Sequence, residues 1–431
     1  MRAPARFPGL TLSVLGGLFV VPLVMLVVAG GARGPARSDD RGAPARLATG
    51  APREAGAITE EAIRLYATGQ FASACERFGR AADAEPGSAA LRDDLGRCFE
   101  SWGWQTLKQG RPEEALLLFR QGLRQSPDAT GALKGFGLAA VHTGHADEAL
   151  ASLEAAQRRE FDGQVALLLA HLYDHRDDPD RAVAELRLLL DREPEHEQAR
   201  RLLDKVERER RAERGFGRDV SAHFLVKYDA GSDPEARRTL VALLESARQR
   251  VAAQLGEVPR GRVTVVLYER EQFQDVTRVH GWVTGLFDGK IRLPVGSAQP
   301  PRRELERLVV HEYTHAVIHD LSRGRAPRWL HEGLAQVLDG TAADPMLRVP
   351  GSPTLLGIEA LVGESDPARA RAGYDVALWV VRDLLDRGGM PSIRALMIHL
   401  GQGRTIGEAI PLVYGLRLSE IESQWRRVLG G

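Results

Sequence analysis

Between about residues 58 and 200 the sequence repeats itself, and that repetition leaves few folds open. Small residues recur at Ala62, Gly103, Gly137 and Ala170, and twelve positions after each stand Ala74, Ala115, Ala149 and Ala182. Four positions further come Phe78, Phe119, Leu153 and Leu186, while Pro86, Pro127 and Pro194 close three of the units. The later intervals are 34 and 33 residues; the first is 41, an excess of two helical turns near residues 88–102. Columns that keep step in this way specify stacked helix pairs. Small residues let the two helices of a unit approach closely, and the aromatic or Leu fills the gap to the next unit. Pro ends the second helix because it cannot continue one.

These columns resemble the tetratricopeptide repeat, in about four units, so residues 58–215 are expected to form an α-solenoid of helix pairs. Residues 195–215, with Glu207, Arg208, Glu209, Arg210 and Arg211, read as its solvated capping helix. Such a stack carries no chemistry of its own. It serves either as a concave platform for a protein partner or as a spacer.

At 431 residues the chain has room for two or three domains of about 150 residues each. An apolar fraction of 43% and a charged fraction of 27% exclude wholesale disorder. Lys plus Arg and Asp plus Glu both number 58, so the net basic surface that drives nucleic-acid binding is missing. Cys75 and Cys98 are too few for a disulfide framework or a four-sulfur zinc site. Two readings stay open for them: one bridge in an oxidising compartment, or two small buried hydrophobes.

Residues 1–31 read as a signal anchor or signal peptide. Arg2 and Arg6 precede an apolar run from Leu10 to Gly31, long enough to cross about 30 Å of hydrocarbon as a helix. Ala29, Gly30, Gly31 and Ala32 equally suit a signal peptidase. Arg33, Arg37, Arg41 and Arg46 after the run leave the orientation of an anchor open. With only nine residues before the run, a short cytoplasmic tail and an exported body in the cell envelope are favoured, with the membrane as a partner of the N-terminal segment. Residues 32–57, rich in Ala, Arg, Gly and Pro, are expected to be a flexible linker.

After residue 215 the pattern changes to α+β. His223–Tyr228 and Val263–Tyr268 read as strands, residues 234–255 as a helix, and 283–293 as a hairpin around Asp288-Gly289. Residues 304–321 form a helix carrying His311-Glu312-Tyr313-Thr314-His315. Positions four apart share a face, so both imidazoles can reach one zinc ion at ~2.0–2.1 Å. Glu312 lies about 100° round the helix, beside the pair, where it can accept a proton from water without itself becoming a ligand.

A catalytic zinc normally takes three protein ligands. A His six residues after the second is one known solution, but Leu321 stands there. Glu332, in Pro327-Arg-Trp-Leu-His-Glu-Gly-Leu-Ala-Gln336, is the better candidate. Ser322–Pro327 reads as a turn, with His315 about 10 Å down one helix and Glu332 about 8 Å down the next. An antiparallel pair would bring them level. His331 and His319 are rival imidazoles, each pointing well off the relevant face.

These residues resemble the gluzincin metallopeptidases, especially the compact group with the stretch Trp329-Leu-x-Glu-Gly-Leu-Ala335; the similarity spans about 216–431. The resemblance implies a zincin-like α+β fold with Zn2+ held by His311, His315 and Glu332, and Glu312 as general base. It also implies a hairpin strand bordering a cleft for a peptide or protein substrate, with Ile291 as a contact, and a closing helix at Ile421–Trp425. Tyr374, expected to open a helix over 374–381, is the candidate to steady the oxyanion or else packs in the core. Several relatives have an acidic residue four after the third ligand, where this chain has Gln336. The implied activity is peptide hydrolysis, with partners recruited by the repeats. The alternative is a non-enzymatic adaptor with a structural or degenerate zinc site, for which Gln336 is the hint.

Overall fold

The computed structural model describes residues 53–429 except 230, 232, 257, 260, 280–282, 296–299 and 344–353. The expected anchor or signal at 1–31, and the linker as far as residue 52, lie outside the described residues. Among the described residues no helix is long and apolar enough to cross a membrane. The chain is mainly helical and divides into two units. One comprises 53–174 and Asp178–Leu203, the other His175–Asp177 and 204–429.

The first unit is built from α1 (Arg53–Ala67), α2 (Phe71–Ala84), α3 (Ala89–Lys108), α4 (Pro112–Gln125), α5 (Thr130–His142), α6 (Ala146–Arg159), α7 (Gly163–His175), α8 (Pro179–Arg192) and the start of α9 (Glu197–Ala212). Helix α1 opens at Arg53, so the last five residues of the expected linker are helical. The columns of small residues and of Phe or Leu are buried, while the prolines that close the units lie exposed. Phe119 lies where a Cβ on Gly103 or Gly135 would stand, at 2.8 and 2.3 Å, and Leu153 fills the same space at Gly137. The seven extra residues of the first interval lengthen α3 to 20 residues, against 13 in α5 and α7.

Cys75 and Cys98 are joined as a disulfide between α2 and α3, with Cα atoms 5.5 Å apart. Of the two readings open in the sequence, this is the bridge. The same packing that buries Phe78 and Leu95 beside them brings the two sulfurs together. Closing a loop of 23 residues should stabilise this unit by about 3 kcal/mol through the unfolded chain's lost entropy. Urea unfolding of wild type against C75A/C98A should show that difference; coincident midpoints would contradict it.

The second unit holds a five-stranded mixed sheet of β1 (Gly217–Val220), β2 (Phe224–Tyr228), β3 (Val263–Leu267), β4 (Leu286–Phe287) and β5 (Ile291–Leu293). Their order is β1-β2-β3-β5-β4. Helix α10 (Pro234–Leu255) links β2 to its parallel neighbour β3, and α11 (Arg270–Thr277) follows β3. Strand β3 is buried along its whole length, as its unbroken β-branched run requires. The hairpin forms as expected, pairing Leu286 with Arg292 and Phe287 with Ile291.

Ile291 must be reassigned. It lies on β5, an inner strand that pairs with Val265 of β3 on one side and with β4 on the other. The side chain is wholly buried in the core, so it offers a substrate neither backbone nor surface. The outer strand on this side is β4.

Helices complete the unit: α12 (Arg302–Ser322), α13 (Arg328–Asp339), α14 (Leu355–Val362), α15 (Pro367–Gly401), α16 (Ile406–Tyr414) and α17 (Leu418–Leu429). Within α15, Gly389 is non-helical and kinks the segment ahead of Pro391. The helix starts at Pro367, capped by Asp366, so Tyr374 sits two turns inside it and does not open it. Helix α13 packs tightly on α15: a Cβ on Gly333 would stand 2.4 Å from the Ala377 carbonyl oxygen. Trp425 of α17 is buried and donates its indole N–H to Asp383 of α15 at 2.8 Å.

Candidate metal centre

Helix α12 is buried on all sides from Leu308 to Ile318, so His311 and His315 face the interior of the unit. The α12–α13 turn follows from Ser322–Pro327. Arg323 and Gly324 take left-handed backbone, and Ser322 Oγ accepts from the Ala326 amide. Pro327 then caps α13, and Glu359 of α14 accepts from the amides of Arg328 and Trp329 at 3.1 and 3.2 Å. A carboxylate at those otherwise orphaned donors fixes where α13 begins.

The antiparallel return brings Glu332 level with the histidines, as the residue count requires. Glu332 Oε2 lies 3.4 Å from His311 Nε2 and 3.9 Å from His315 Nε2. Ligands 2.0–2.1 Å from a tetrahedral ion stand about 3.4 Å apart, so the spacing suits a single zinc. The donors meet a second test. Among the described residues, His311 Nε2 and both ring nitrogens of His315 are buried without a hydrogen-bond partner, and buried polar atoms normally have one. Unpartnered nitrogens aimed at a buried carboxylate are what a cation would join.

Asp339, at the end of α13, braces the site and was not foreseen. Its Oδ2 lies 2.8 Å from His311 Nδ1. A carboxylate only accepts, so Nδ1 carries a proton, and Nε2 faces Glu332 and His315, where a cation that displaced its proton would meet the lone pair. Asp339 is itself held, its Oδ1 accepting from the amide and hydroxyl of Thr341 at 2.7 and 2.6 Å. Position 336 therefore does not carry the orienting carboxylate; position 339, nearly one turn further along the helix, does. The signal lay in the spacing, seven residues being two turns from Glu332 on the same face. Gln336 has another task. Its Nε2 donates to the carbonyls of Glu332 and Tyr374 at 3.2 and 2.9 Å, tying α13 to α15.

Charge follows the same geometry. Burial disfavours the charged form of His311, but Asp339 and Glu332 outweigh it and push the imidazole up to about 10. His315 is driven well down, by burial first and then by its neighbours His311 and His331. Burial also raises the Tyr374 phenol, and the carboxylates of Glu332 and Glu312 raise it further, so this hydroxyl stays neutral beside the donors.

Glu312 is wholly buried and meets the hairpin: a Cβ on Gly285 would fall 2.3 Å from its Oε1. A side chain at Gly285 would displace that carboxylate, so glycine keeps the backbone leading into β4 close against it. His331 packs its ring 5.5 Å from that of His315 and lies outside the converging donors. His319 stacks on His175 at 6.2 Å, also away from them. The site thus unites His311, His315, Glu332, Glu312 and Tyr374, and leaves out Ile291.

Two family models match parts of the chain. Residues 245–431 match the family model described as the Peptidase MA superfamily, and residues 106–166 match the tetratricopeptide repeat. None of the curated proteins matches the chain. Among solved structures it is similar to a thermophilic TPR protein of Thermus thermophilus, at 20% identity over 36% of this chain and 98% of that one (TM-score 0.21). A tetratricopeptide repeat protein of Parabacteroides merdae is 12% identical over 75% of this chain and all of its own (TM-score 0.30). The chain carries a tetratricopeptide-repeat region and a Peptidase MA superfamily domain.

Two measurements probe the site. Substituting Asp339→Asn should weaken zinc binding by about 10- to 100-fold in competition with a chelating dye, while Gln336→Leu leaves it nearly unchanged. Equal affinities for all three proteins would remove Asp339 from the site. The second concerns pH. Burial, with His319 nearby, presses His331 down to about 3, so the folded chain refuses a proton that the unfolded chain binds below about 6.5. Stability of the metal-free protein should therefore fall as pH drops from about 6.5 toward 3. In H331Q the slope of unfolding free energy between pH 6 and 4 should be shallower, by up to about 1.4 kcal/mol per pH unit. An unchanged slope would refute the buried neutral imidazole.

Proposed function

We propose that this protein is a zinc-dependent peptidase whose tetratricopeptide repeats recruit protein partners or substrates. The observation that carries the reading is the convergence of His311, His315 and Glu332, buried and within 4.8 Å of one another, with the wholly buried Glu312 next to His311 in the chain. Zinc bound by these three acts as a Lewis acid toward a carbonyl and makes water more acidic. The chain's own residues do the rest. With the ion bound in place of the Nε2 proton, His311, its Nδ1–H held by Asp339, and His315 would present neutral nitrogens, and Glu332 adds one negative charge. Glu312 takes up the proton of the attacking water and returns it to the leaving amine.

Tyr374 offers a neutral hydroxyl to the oxygen that gains charge. Gly285 lets β4 lie directly beside Glu312, so an extended peptide pairing with the outer face of β4 passes close to the proton acceptor. Main-chain pairing of that kind binds with little sequence preference, and selection of the substrate then falls to the repeats.

The adaptor reading rested on Gln336, and the Asp339 brace supports an intact site instead. An exported, membrane-associated location is proposed from the apolar run at residues 10–31, and the Cys75–Cys98 bridge supports an oxidising compartment. The test is a peptide-library digest by the zinc-loaded chain. Changing Glu312→Gln should lower kcat by about 10²- to 10⁴-fold with zinc content unchanged. Changing Glu332→Ala should lose the zinc, and Tyr374→Phe should lower kcat more than it alters KM. Undiminished turnover in E312Q would overturn the assignment.

A further inference from the structure

The turns that join the two helices of each repeat are alike in three units and different in the fourth. Gly69, Gly110 and Gly144 take φ of 75°, 74° and 78°, and in each turn the next residue's amide donates to the carbonyl five residues back. In the fourth turn the same bond runs from the Asp178 amide to the Tyr173 carbonyl, and Asp177 occupies the glycine's place at φ 59°. A side chain in left-handed backbone is unfavourable, though Asp tolerates it better than most. Something else must hold Asp177 there.

Its surroundings supply that. Asp177 belongs with its neighbours to the sheet-containing unit, and its carboxylate is almost wholly buried. It accepts from Lys227 Nζ of β2 at 2.8 Å and from Lys290 Nζ of the hairpin at 3.5 Å. The other hairpin charges are held in the same network. Arg292, fully buried, reaches Glu209 at 2.9 Å, Asp288 at 3.1 Å and the Tyr268 hydroxyl at 2.8 Å. Lys205 pairs with both Glu209 and Asp288, at 3.0 and 3.2 Å, and Glu213 accepts from Lys227 and Tyr268. The apex of the hairpin is also pinned: a Cβ on Gly289 would stand 2.3 Å from the His175 ring, which stacks in turn on His319 of α12. So many buried charges are costly to desolvate, and a purely apolar contact could hold a hairpin as firmly. What ion pairs add is direction, fixing the register and height of the strand they hold.

We infer that the His175–Asp177 corner, together with Glu209 and Glu213, is a bracket that sets the β4–β5 hairpin against Glu312, and that Asp177 is a positioning residue for the substrate-bearing strand. The functional half of this inference rests on the peptidase reading; the structural half does not.

The decisive variant is D177G in the full, zinc-loaded chain. Glycine restores the residue used in the other three turns, so the backbone is relieved and only the carboxylate is lost. E209Q is the second variant, acting from α9. Hydrogen exchange followed by mass spectrometry should show amides of 283–293 exchanging about tenfold faster or more in both, with α12 and zinc content as in wild type. With a fluorescence-quenched peptide mixture, KM should rise about tenfold while kcat changes by less than about threefold. Wild-type exchange at 283–293 in both variants would overturn the bracket. Faster exchange with KM unchanged would overturn Asp177 as a positioning residue. If the wild-type chain hydrolyses no peptide yet the variants loosen the hairpin, the peptidase reading fails and the bracket stands.

Discussion

The sheet-containing unit is organised around a polar cluster that an apolar core would ordinarily reject: two imidazoles and a carboxylate, buried at the meeting of α12 and α13. Desolvating these groups is unfavourable, and the cost is tolerable only if a cation joins them or each finds a partner. Asp339 supplies a partner for one nitrogen of His311, and the remaining donors point at one another. Much of the surrounding fold serves this arrangement. Glu359 fixes the start of α13, the absence of a side chain at Gly333 lets α13 press on α15, and Gln336 fastens the two.

The sheet contributes position more than chemistry. Its inner strands are largely buried, with Lys227 and Arg292 as their buried charges, and the strand that approaches the site is the short β4 at the edge. Gly285 brings that edge against Glu312, while the buried charges around Arg292 hold the hairpin from the other side. The carboxylate that would move a proton and the backbone that would hold a peptide are therefore fixed relative to each other by the same unit.

Much of this could be read in the sequence, for identifiable reasons. The repeat columns and the His311–His315 pair are periodic, and helical period translates directly into which residues share a face. Glu332 followed from counting residues either side of a turn. Ile291 was misplaced because alternation shows that a segment is a strand but not whether it is an edge; strand order depends on pairing between β3 and β5, which no local pattern records. Asp339 is harder to read because several relatives have their acidic residue four after the third ligand, whereas here the same face recurs further along the helix. The Cys75–Cys98 bridge hung on the distance between neighbouring helices, and composition holds no distances.

The central claim is that His311, His315 and Glu332 together hold one zinc ion. Anomalous diffraction at the zinc edge, from crystals of the zinc-reconstituted full chain, tests it most directly. The account predicts a single strong peak about 2.0–2.2 Å from His311 Nε2, His315 Nε2 and one Glu332 oxygen. A peak coordinated by His331 or His319 in place of Glu332, or no peak among these residues in zinc-saturated crystals, would contradict it.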